Sequence, residues 1–229
     1  MSEIDWLTVL SDLDLRGWAV IKALLPAAQC RRVAAMFTAE NIFRSHVHMA
    51  RHAFGSGEYK YFSYPLPELI AQLRNDLYPP LSEIANRWNA MLGIVERFPA
   101  THANYLRQCH AAGQTRPTPL LLRYGPGDYN RLHQDLYGEK VFPLQLTLLL
   151  SQPQNDFTGG EFVMTESRAR MQTRPYVAPL GQGDAVVFAV NLRPVRSAHG
   201  YGRVTMRHGV SALHSGQRFA LGIIFHDAT

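Results

Sequence analysis

The sequence predicts an α+β protein with a mainly β core, in which N-terminal helices pack on one sheet of a C-terminal jelly roll. Two observations lead to this prediction. Before residue 117 apolar residues recur mainly at helical spacing, and from residue 117 onward seven short β-like runs alternate with Gly, Pro, Asn and Asp. Many short strands with few helices between them are typical of antiparallel sandwiches and barrels. We expect a single domain, 1–229, with a mainly helical part at 1–116 and the jelly roll at 117–229.

The N-terminal part contains one predicted strand, at 17–21, followed by a helix at 25–37 that has Pro26 at an early helical position. Residues 52–67 are rich in Gly, Tyr and Phe and are expected to be irregular, apart from a possible strand at 59–62. Three more helices are predicted, at 67–77, 80–92 and 100–112.

The strands predicted for the C-terminal part are 119–124, 144–150, 160–164, 174–179, 185–190, 208–214 and 218–226. The last two are expected to form a hairpin that closes on 215–217. Because residue 214 then faces residue 218, the even-numbered residues of both strands share one face. That face carries the small residues Ala212, Ala220 and Gly222, and the opposite face carries a bulky apolar stripe suited to packing against helices.

His133 and Asp135 form the first part of a candidate site. Side chains two residues apart on a strand project to the same face, and non-haem Fe(II) oxygenases bind their metal through two imidazoles and one carboxylate. Taken alone, a surface-loop histidine beside an aspartate is the simpler interpretation. The pair gains weight because it follows a Gly/Pro turn at 125–128, after a strongly apolar strand, and because two residues downstream complete the pattern.

His208 and Arg218 are those two residues. In the predicted hairpin they share a face and lie about six strand steps, or about 20 Å, apart. A histidine, an iron ion, an extended five-carbon diacid and a guanidinium placed end to end can bridge that distance. Arginine suits the distal carboxylate because its planar group can bind both oxygens at once. His199, in a glycine-flanked loop, is the alternative third ligand, whereas His214 and His226 are expected at a turn and at the chain end.

This order of residues resembles the Fe(II)/2-oxoglutarate-dependent oxygenase superfamily. The runs at 124–128 (YGPGD), 157–162 (FTGGEF) and 183–188 (GDAVVF) resemble its prolyl-hydroxylase-type members. More narrowly, the whole chain resembles a bacterial family described as oxygenases for oxidative demethylation of damaged DNA, through the runs 57–62 (GEYKYF) and 123–130 (RYGPGDYN). AlkB-type demethylases carry a second Arg six residues after the 2-oxoglutarate Arg; this chain has Ile224 there, so its similarity to them is at superfamily level.

The resemblance implies a double-stranded β-helix (jelly-roll) fold and a dioxygenase that uses Fe(II), 2-oxoglutarate and O2. It implies His133, Asp135 and His208 as metal ligands, and Arg218 as the residue that holds the 5-carboxylate of 2-oxoglutarate. Tyr124 is a candidate hydroxyl partner for that carboxylate, and a packed tyrosine at the strand end is the alternative.

The sequence around the predicted site indicates a possible partner. Between Arg168 and Arg207 the chain has seven arginines and one acid, Asp184, and a basic surface of this kind can hold a phosphate backbone. A solvated rim with a few structural ion pairs is the alternative. Three functions therefore stay open: oxidative demethylation of alkylated nucleic acid, hydroxylation of a protein or peptide side chain, and a non-catalytic metal-binding jelly roll.

Composition sets broader limits. The formal net charge of +5 permits contact with nucleic acid without requiring it. The two cysteines show no disulfide pattern, and the first ten residues lack the basic start and apolar core of a signal peptide. No apolar run reaches the roughly 20 residues of a membrane span. We expect a cytoplasmic protein without membrane contact.

Overall fold

The computed structural model describes residues 4–229. The prediction that the first ten residues are not a signal peptide concerns residues 1–10, and residues 1–3 of these lie outside the described range. The helices are α1 (Trp6–Arg16), α2 (Ala27–Ala35), α3 (Glu68–Met91) and α4 (His102–Ala111), with short 3-10 helices at Met36–Thr38 and Met49–His52. The strands are β1 (Trp18–Ile21), β2 (Phe43–His48), β3 (Gly55–Ser56), β4 (Glu58–Phe62), β5 (Leu120–Tyr124), β6 (Tyr129–His133), β7 (Leu144–Leu149), β8 (Phe157–Gly159), β9 (Phe162–Ser167), β10 (Arg174–Ala178), β11 (Ala185–Ala189), β12 (Leu192–Ser197), β13 (Gly200–Val210), β14 (Leu213–Gly216) and β15 (Arg218–Ile223). Within residues 4–229 no helix is both long enough and apolar enough to cross a membrane.

Two antiparallel sheets form the body of the molecule. The larger has seven strands in the order β1-β11-β7-β15-β5-β4-β2. The smaller has six strands: five follow the order β10-β9-β13-β6-β3, and β12 pairs with β13. Strands β14 and β8 form a separate pair. The architecture is therefore mainly β, as the sequence predicted.

The helices contact one face of the seven-stranded sheet. Both α2 and α3 contact β15, the central strand of that sheet, and α1 contacts β1 and β11. On β15, Leu221 and Ile223 are fully buried in the hydrophobic core. The alternate residues Arg218, Ala220 and Gly222 line a cavity, because successive side chains of a strand point to opposite faces. The face away from the helices is thus available for a site.

Helix α3 corrects the prediction of two helices at 67–77 and 80–92. It is a single helix of 24 residues that contains both Pro79 and Pro80. A proline inside a helix costs about 3 kcal/mol or more, because it removes a hydrogen bond and crowds the preceding turn. Here buried residues continue along one face of the helix on both sides of the prolines. Packing of such a face supplies most of the stability of a helix in a protein. The buried face includes Ile70, Leu73, Leu77, Leu81, Ile84, Ala85 and Trp88.

The predicted hairpin of 208–214 and 218–226 is wrong. Strand β13 pairs with β6, β9 and β12 in the six-stranded sheet, whereas β15 pairs with β5 and β7 in the seven-stranded sheet. Between them, β14 pairs with β8. Insertion between two apolar strands buries β15 more completely than a hairpin at the surface would, so the chain crosses from one sheet to the other between His208 and Arg218.

Several elements are absent from the sequence prediction. They are α1, β2, β3, β6, β8 and β12, and the strand predicted at 160–164 lies instead at Phe162–Ser167. Strands β6 and β12 carry polar and charged residues such as Asn130, Arg131 and Arg196. Such residues are uncommon in strands with one buried face, so the two segments resembled loops.

Candidate metal centre

The structure brings His133, Asp135 and His208 together. His133 is the last residue of β6 and pairs directly with His208 on β13, and their ring centroids lie 4.2 Å apart. The Asp135 carboxylate lies between them, with Oδ1 3.5 Å from His133 Nε2 and Oδ2 3.4 Å from His208 Nε2. All three donor atoms lie within 4.8 Å of one another. Two imidazoles and one carboxylate converging from one sheet are the donor set of a facial Fe(II) site.

The protonation states of Asp135 and His208 suit a metal. Burial by itself raises the pKa of Asp135, but the neighbouring imidazoles of His133 and His208 outweigh it and hold that pKa well below the usual value. Burial lowers the pKa of His208. At neutral pH Asp135 is therefore a carboxylate and His208 is a neutral imidazole, and these are the forms that bind metal ions.

Hydrogen bonds with neighbouring groups orient the candidate ligands. His133 Nδ1 lies 2.7 Å from the carbonyl oxygen of Arg131, so Nδ1 carries the proton and Nε2 is free to bind a metal. The hydroxyl of Tyr137 donates to Asp135 Oδ1 at 2.7 Å. Sequence reasoning missed Tyr137, although its position two residues after Asp135 was an available signal.

Arg218 and Tyr124 face each other in the seven-stranded sheet. They are register partners on β15 and β5, and both are buried. Arg218 is only 1% exposed, yet its Nε and Nη1 have no hydrogen-bond partner in the protein. Burial lowers the pKa of this guanidinium. A buried charge without a partner is costly, so these two donors indicate an anion-binding position.

A cavity of about 450 Å³ connects the two groups of residues. This volume falls within the range of about 300–1,000 Å³ that is usual for ligand pockets. Its lining includes the three metal-site residues, Arg218 and Tyr124, together with Ala220, Gly222, Tyr59, Tyr61, Gln145 and Thr147. The small residues of β15 therefore lie where the prediction placed them, although Ala212 does not line the cavity.

Gln145 and Thr147 are cavity residues that sequence reasoning missed. They alternate with Leu144, Leu146 and Leu148 on the otherwise apolar strand β7. The side-chain oxygen of Gln145 is buried and has no partner. Two polar residues at alternate positions of an apolar strand were the signal that could have identified them.

The other histidines lie elsewhere. His199 is exposed in the turn that joins β12 to β13, where Ser197 pairs with Gly200. His214 is exposed as well. His226 is buried, and its Nδ1 accepts a hydrogen bond from the Phe142 backbone N–H. None of these three belongs to the cluster around Asp135.

The basic segment between Arg168 and Arg207 needs one correction. Arg193 is buried and forms an ion pair with Glu166, which also accepts a hydrogen bond from Arg168. Arg203 donates to the Leu92 carbonyl oxygen. Arg193 is therefore part of the core and cannot contact a phosphate backbone.

Comparisons with known proteins identify the family. A family model described as "Oxygenase, catalysing oxidative methylation of damaged DNA" matches residues 57–228. The chain belongs to this oxygenase family. A Mycobacterium tuberculosis protein, named only as uncharacterized, is 50% identical over 167 residues, which cover 73% of this chain and 72% of that protein. The prediction of an oxygenase is confirmed. The family description does not agree with the alternative prediction of a non-catalytic metal-binding jelly roll.

Solved structures confirm the jelly-roll fold of the oxygenase. A Pseudomonas putida prolyl-4-hydroxylase aligns with a TM-score of 0.53 at 18% identity, covering 95% of this chain and 96% of that one. A Burkholderia pseudomallei oxidoreductase of the 2OG-Fe(II) oxygenase family aligns with a TM-score of 0.55 at 14% identity, covering 100% and 94%. A Trichoplax adhaerens prolyl hydroxylase aligns with a TM-score of 0.56 at 14% identity, covering 97% and 89%. The predicted cofactors, Fe(II), 2-oxoglutarate and O2, agree with this fold and with the His-Asp-His donor set.

Proposed function

We propose that this oxygenase removes N-alkyl groups from nucleic-acid bases, using Fe(II), 2-oxoglutarate and O2. The family description supports damaged DNA as the substrate class. The observation that carries the proposal is an exposed aromatic ring, Phe54, in the lining of the cavity that the metal-site residues also line.

The metal and the co-substrate fit residues at the two ends of the cavity. His133, Asp135 and His208 would hold Fe(II), and Arg218 would hold the distal carboxylate of 2-oxoglutarate, with Tyr124 opposite it. When bound, these groups supply the oxidising power: O2 and 2-oxoglutarate are converted to succinate and CO2, and a substrate C–H bond becomes C–OH. An N–CH2OH product then releases formaldehyde and leaves the repaired nitrogen.

The protein's own contribution is to orient the ligands and exclude water. The His208 ring packs against Phe188, with centroids 4.5 Å apart, and stacks on Phe162 at 5.8 Å. These rings shield one side of the metal position, while the Tyr137 hydroxyl fixes the Asp135 carboxylate. A dry, rigid site of this kind protects the reaction from hydrolysis and keeps reacting groups in register.

The rim of the cavity has features that suit a base. Phe54 lines the cavity, is 48% exposed and stacks on His52 at 5.4 Å with an interplanar angle of 23°. Its carbonyl oxygen accepts a hydrogen bond from the backbone N–H of Arg131, which anchors this loop to the strand that carries His133. Exposed aromatic rings are stacking platforms for unpaired bases, and the exposed Arg131 would meet a phosphate of such a substrate.

The substrate is tested by coupled turnover. Succinate formation is measured with an N-methylated oligonucleotide, with the same unmodified oligonucleotide, and with a proline-containing peptide. We expect stimulation by the methylated oligonucleotide alone, with formaldehyde released in equal amount. Stimulation by the peptide instead would overturn the proposal and favour side-chain hydroxylation, the activity named for two of the structural neighbours.

Phe54→Ala tests the rim. Base–aromatic stacking contributes about 1–3 kcal/mol, so KM for the methylated oligonucleotide should rise about 5- to 150-fold. Turnover of 2-oxoglutarate without substrate should stay unchanged. Tyr201→Ala is the matched control, because Tyr201 is similarly exposed but does not line the cavity. An equal effect of both substitutions would contradict a specific stacking role.

The metal ligands are tested separately by anaerobic titration with Fe(II) and 2-oxoglutarate, which gives a weak visible charge-transfer band. His208→Ala should abolish the band, and His199→Ala should retain it. The reverse result would identify His199 as the third ligand.

A further inference from the structure

A second cluster of metal-binding side chains lies outside the oxygenase centre. It consists of His46 and His48 on β2 and Glu58 on β4, which we call the edge-strand cluster. One donor atom from each residue lies within 4.8 Å of the others. Among residues 4–229, this cluster and the His133-Asp135-His208 group are the two sets of three that meet this criterion.

The edge-strand cluster is separate from the cavity. On β4, Tyr59 and Tyr61 line the cavity, so Glu58, which alternates with them, points to the other face of the sheet. His48 is the register partner of Glu58, and His46 lies two residues earlier on the same strand. The two clusters therefore share a sheet edge but no ligand.

The strands and Arg123 arrange the cluster in advance. The His46 and His48 rings lie side by side, with centroids 4.5 Å apart. Glu58 Oε1 accepts hydrogen bonds from Nε and Nη2 of Arg123, which leaves Oε2 facing His46 Nε2. Carboxylates that bind metals are normally fixed by hydrogen bonds of this kind, so Arg123 would hold Glu58 in the orientation that a metal needs.

We propose that the edge-strand cluster binds one Zn²⁺ through His46, His48 and Glu58. Two histidines and one glutamate are a known zinc donor set, and the exposed His46 side chain leaves room for water at the fourth position. The charge of Arg123 is matched by Glu58, so the metal enters a nearly neutral cluster and its affinity comes largely from the two imidazoles.

Zinc at this position would cross-link the edge of the sheet. Strand β2 is the last strand of the seven-stranded sheet and pairs only with β4 within it. The chain between β2 and β4 includes Phe54 at the cavity rim. A metal that joins both strands holds the base of this loop, so hydrogen exchange in 43–62 should slow when zinc binds.

The test is the number of Zn²⁺ equivalents taken up by the metal-free protein in competition with a chromogenic chelator. Wild type should bind two equivalents, since the two histidines and one carboxylate of the oxygenase centre are also a zinc donor set. His48→Ala and His208→Ala should each bind one, and the double variant none. His199→Ala, which removes an exposed histidine elsewhere, should still bind two.

Two outcomes would overturn the proposal. One is a wild-type protein that binds one equivalent, lost in His208→Ala. The other is a His48→Ala variant that still binds two. Because His208→Ala isolates the edge-strand cluster, failure of this site is distinguished from failure of the oxygenase centre, and circular dichroism checks that each variant is folded.

Discussion

Replacing Arg218 by methionine separates the role of this residue in binding from its role in folding. The side chain keeps much of its length but loses the buried charge whose Nε and Nη1 have no partner. If a carboxylate of 2-oxoglutarate accepts two charge-assisted hydrogen bonds from this guanidinium, at about 1.5–3 kcal/mol each, the variant loses about 3–6 kcal/mol of binding free energy. This corresponds to an affinity about 10²- to 10⁴-fold weaker.

The same substitution should leave the stability of the ligand-free protein unchanged or increased, because it removes an unpaired buried charge. Arg193→Met is the matched control. Arg193 is equally buried but forms an ion pair with Glu166, and breaking a buried pair costs about 3–5 kcal/mol. The two buried arginines should therefore respond in different ways.

The assay is thermal unfolding with Mn²⁺ in the metal site, so that no turnover consumes the ligand. At 100 times its Kd, 2-oxoglutarate stabilises wild type by about 2.7 kcal/mol. For a chain of this size that is an increase in Tm of about 5–11 °C. Arg218→Met should show an increase of at most about 2 °C. The reasoning is refuted if Arg218→Met destabilises the ligand-free protein as much as Arg193→Met does, or if its Tm rises with 2-oxoglutarate as in wild type.

Three further substitutions test other parts of the structure. Tyr137→Phe removes the donor to Asp135 Oδ1; because such outer partners contribute about 10- to 100-fold to metal affinity, Fe(II) binding in the anaerobic titration should weaken at least about tenfold. Burial lowers the pKa of His102 from 6.5 to about 3, so below pH 6.5 the unfolded chain takes up a proton that the folded chain does not. Stability should fall by up to about 1.4 kcal/mol per pH unit from this group, and urea unfolding of His102→Asn at pH 7, 6 and 5 should show a shallower fall. In Gly222→Leu the new side chain would enter the cavity that Gly222 lines, and the Leu120 side chain would have to move, because the added Cβ would lie 2.5 Å from its Cδ2. Binding of 2-oxoglutarate in calorimetry should therefore be lost, and circular dichroism checks that the variant is folded.

One result for each substitution would contradict its prediction. These results are an unchanged iron affinity in Tyr137→Phe, an unchanged pH dependence of stability in His102→Asn, and full 2-oxoglutarate affinity in Gly222→Leu.

The sequence predicted the candidate site better than the path of the chain through it. The spacing of His133 and Asp135 on a strand end and the apolar alternation around Arg218 are local properties, so they could be read from neighbouring residues. The partner of each strand depends on distant segments. For this reason His208 and Arg218, ten residues apart, were expected on one hairpin but lie in different sheets.

The helical part shows the same limit in another form. Pro79 and Pro80 favour a break locally, and only the buried surface on both sides of them keeps α3 continuous. Tyr137 and Gln145 were missed because the role of a single polar residue can be assigned only when the fold shows which group it contacts.

Because the chain changes sheets after His208, the metal and the co-substrate have anchors in different halves of the sandwich. The six-stranded sheet and the loop after β6 carry His133, Asp135 and His208, so all three proposed metal ligands lie in this half. 2-Oxoglutarate would then extend from the metal to Arg218 and link the two sheets. In the proposed complex 2-oxoglutarate would bind after the metal, because its contact in the six-stranded half would be the metal itself.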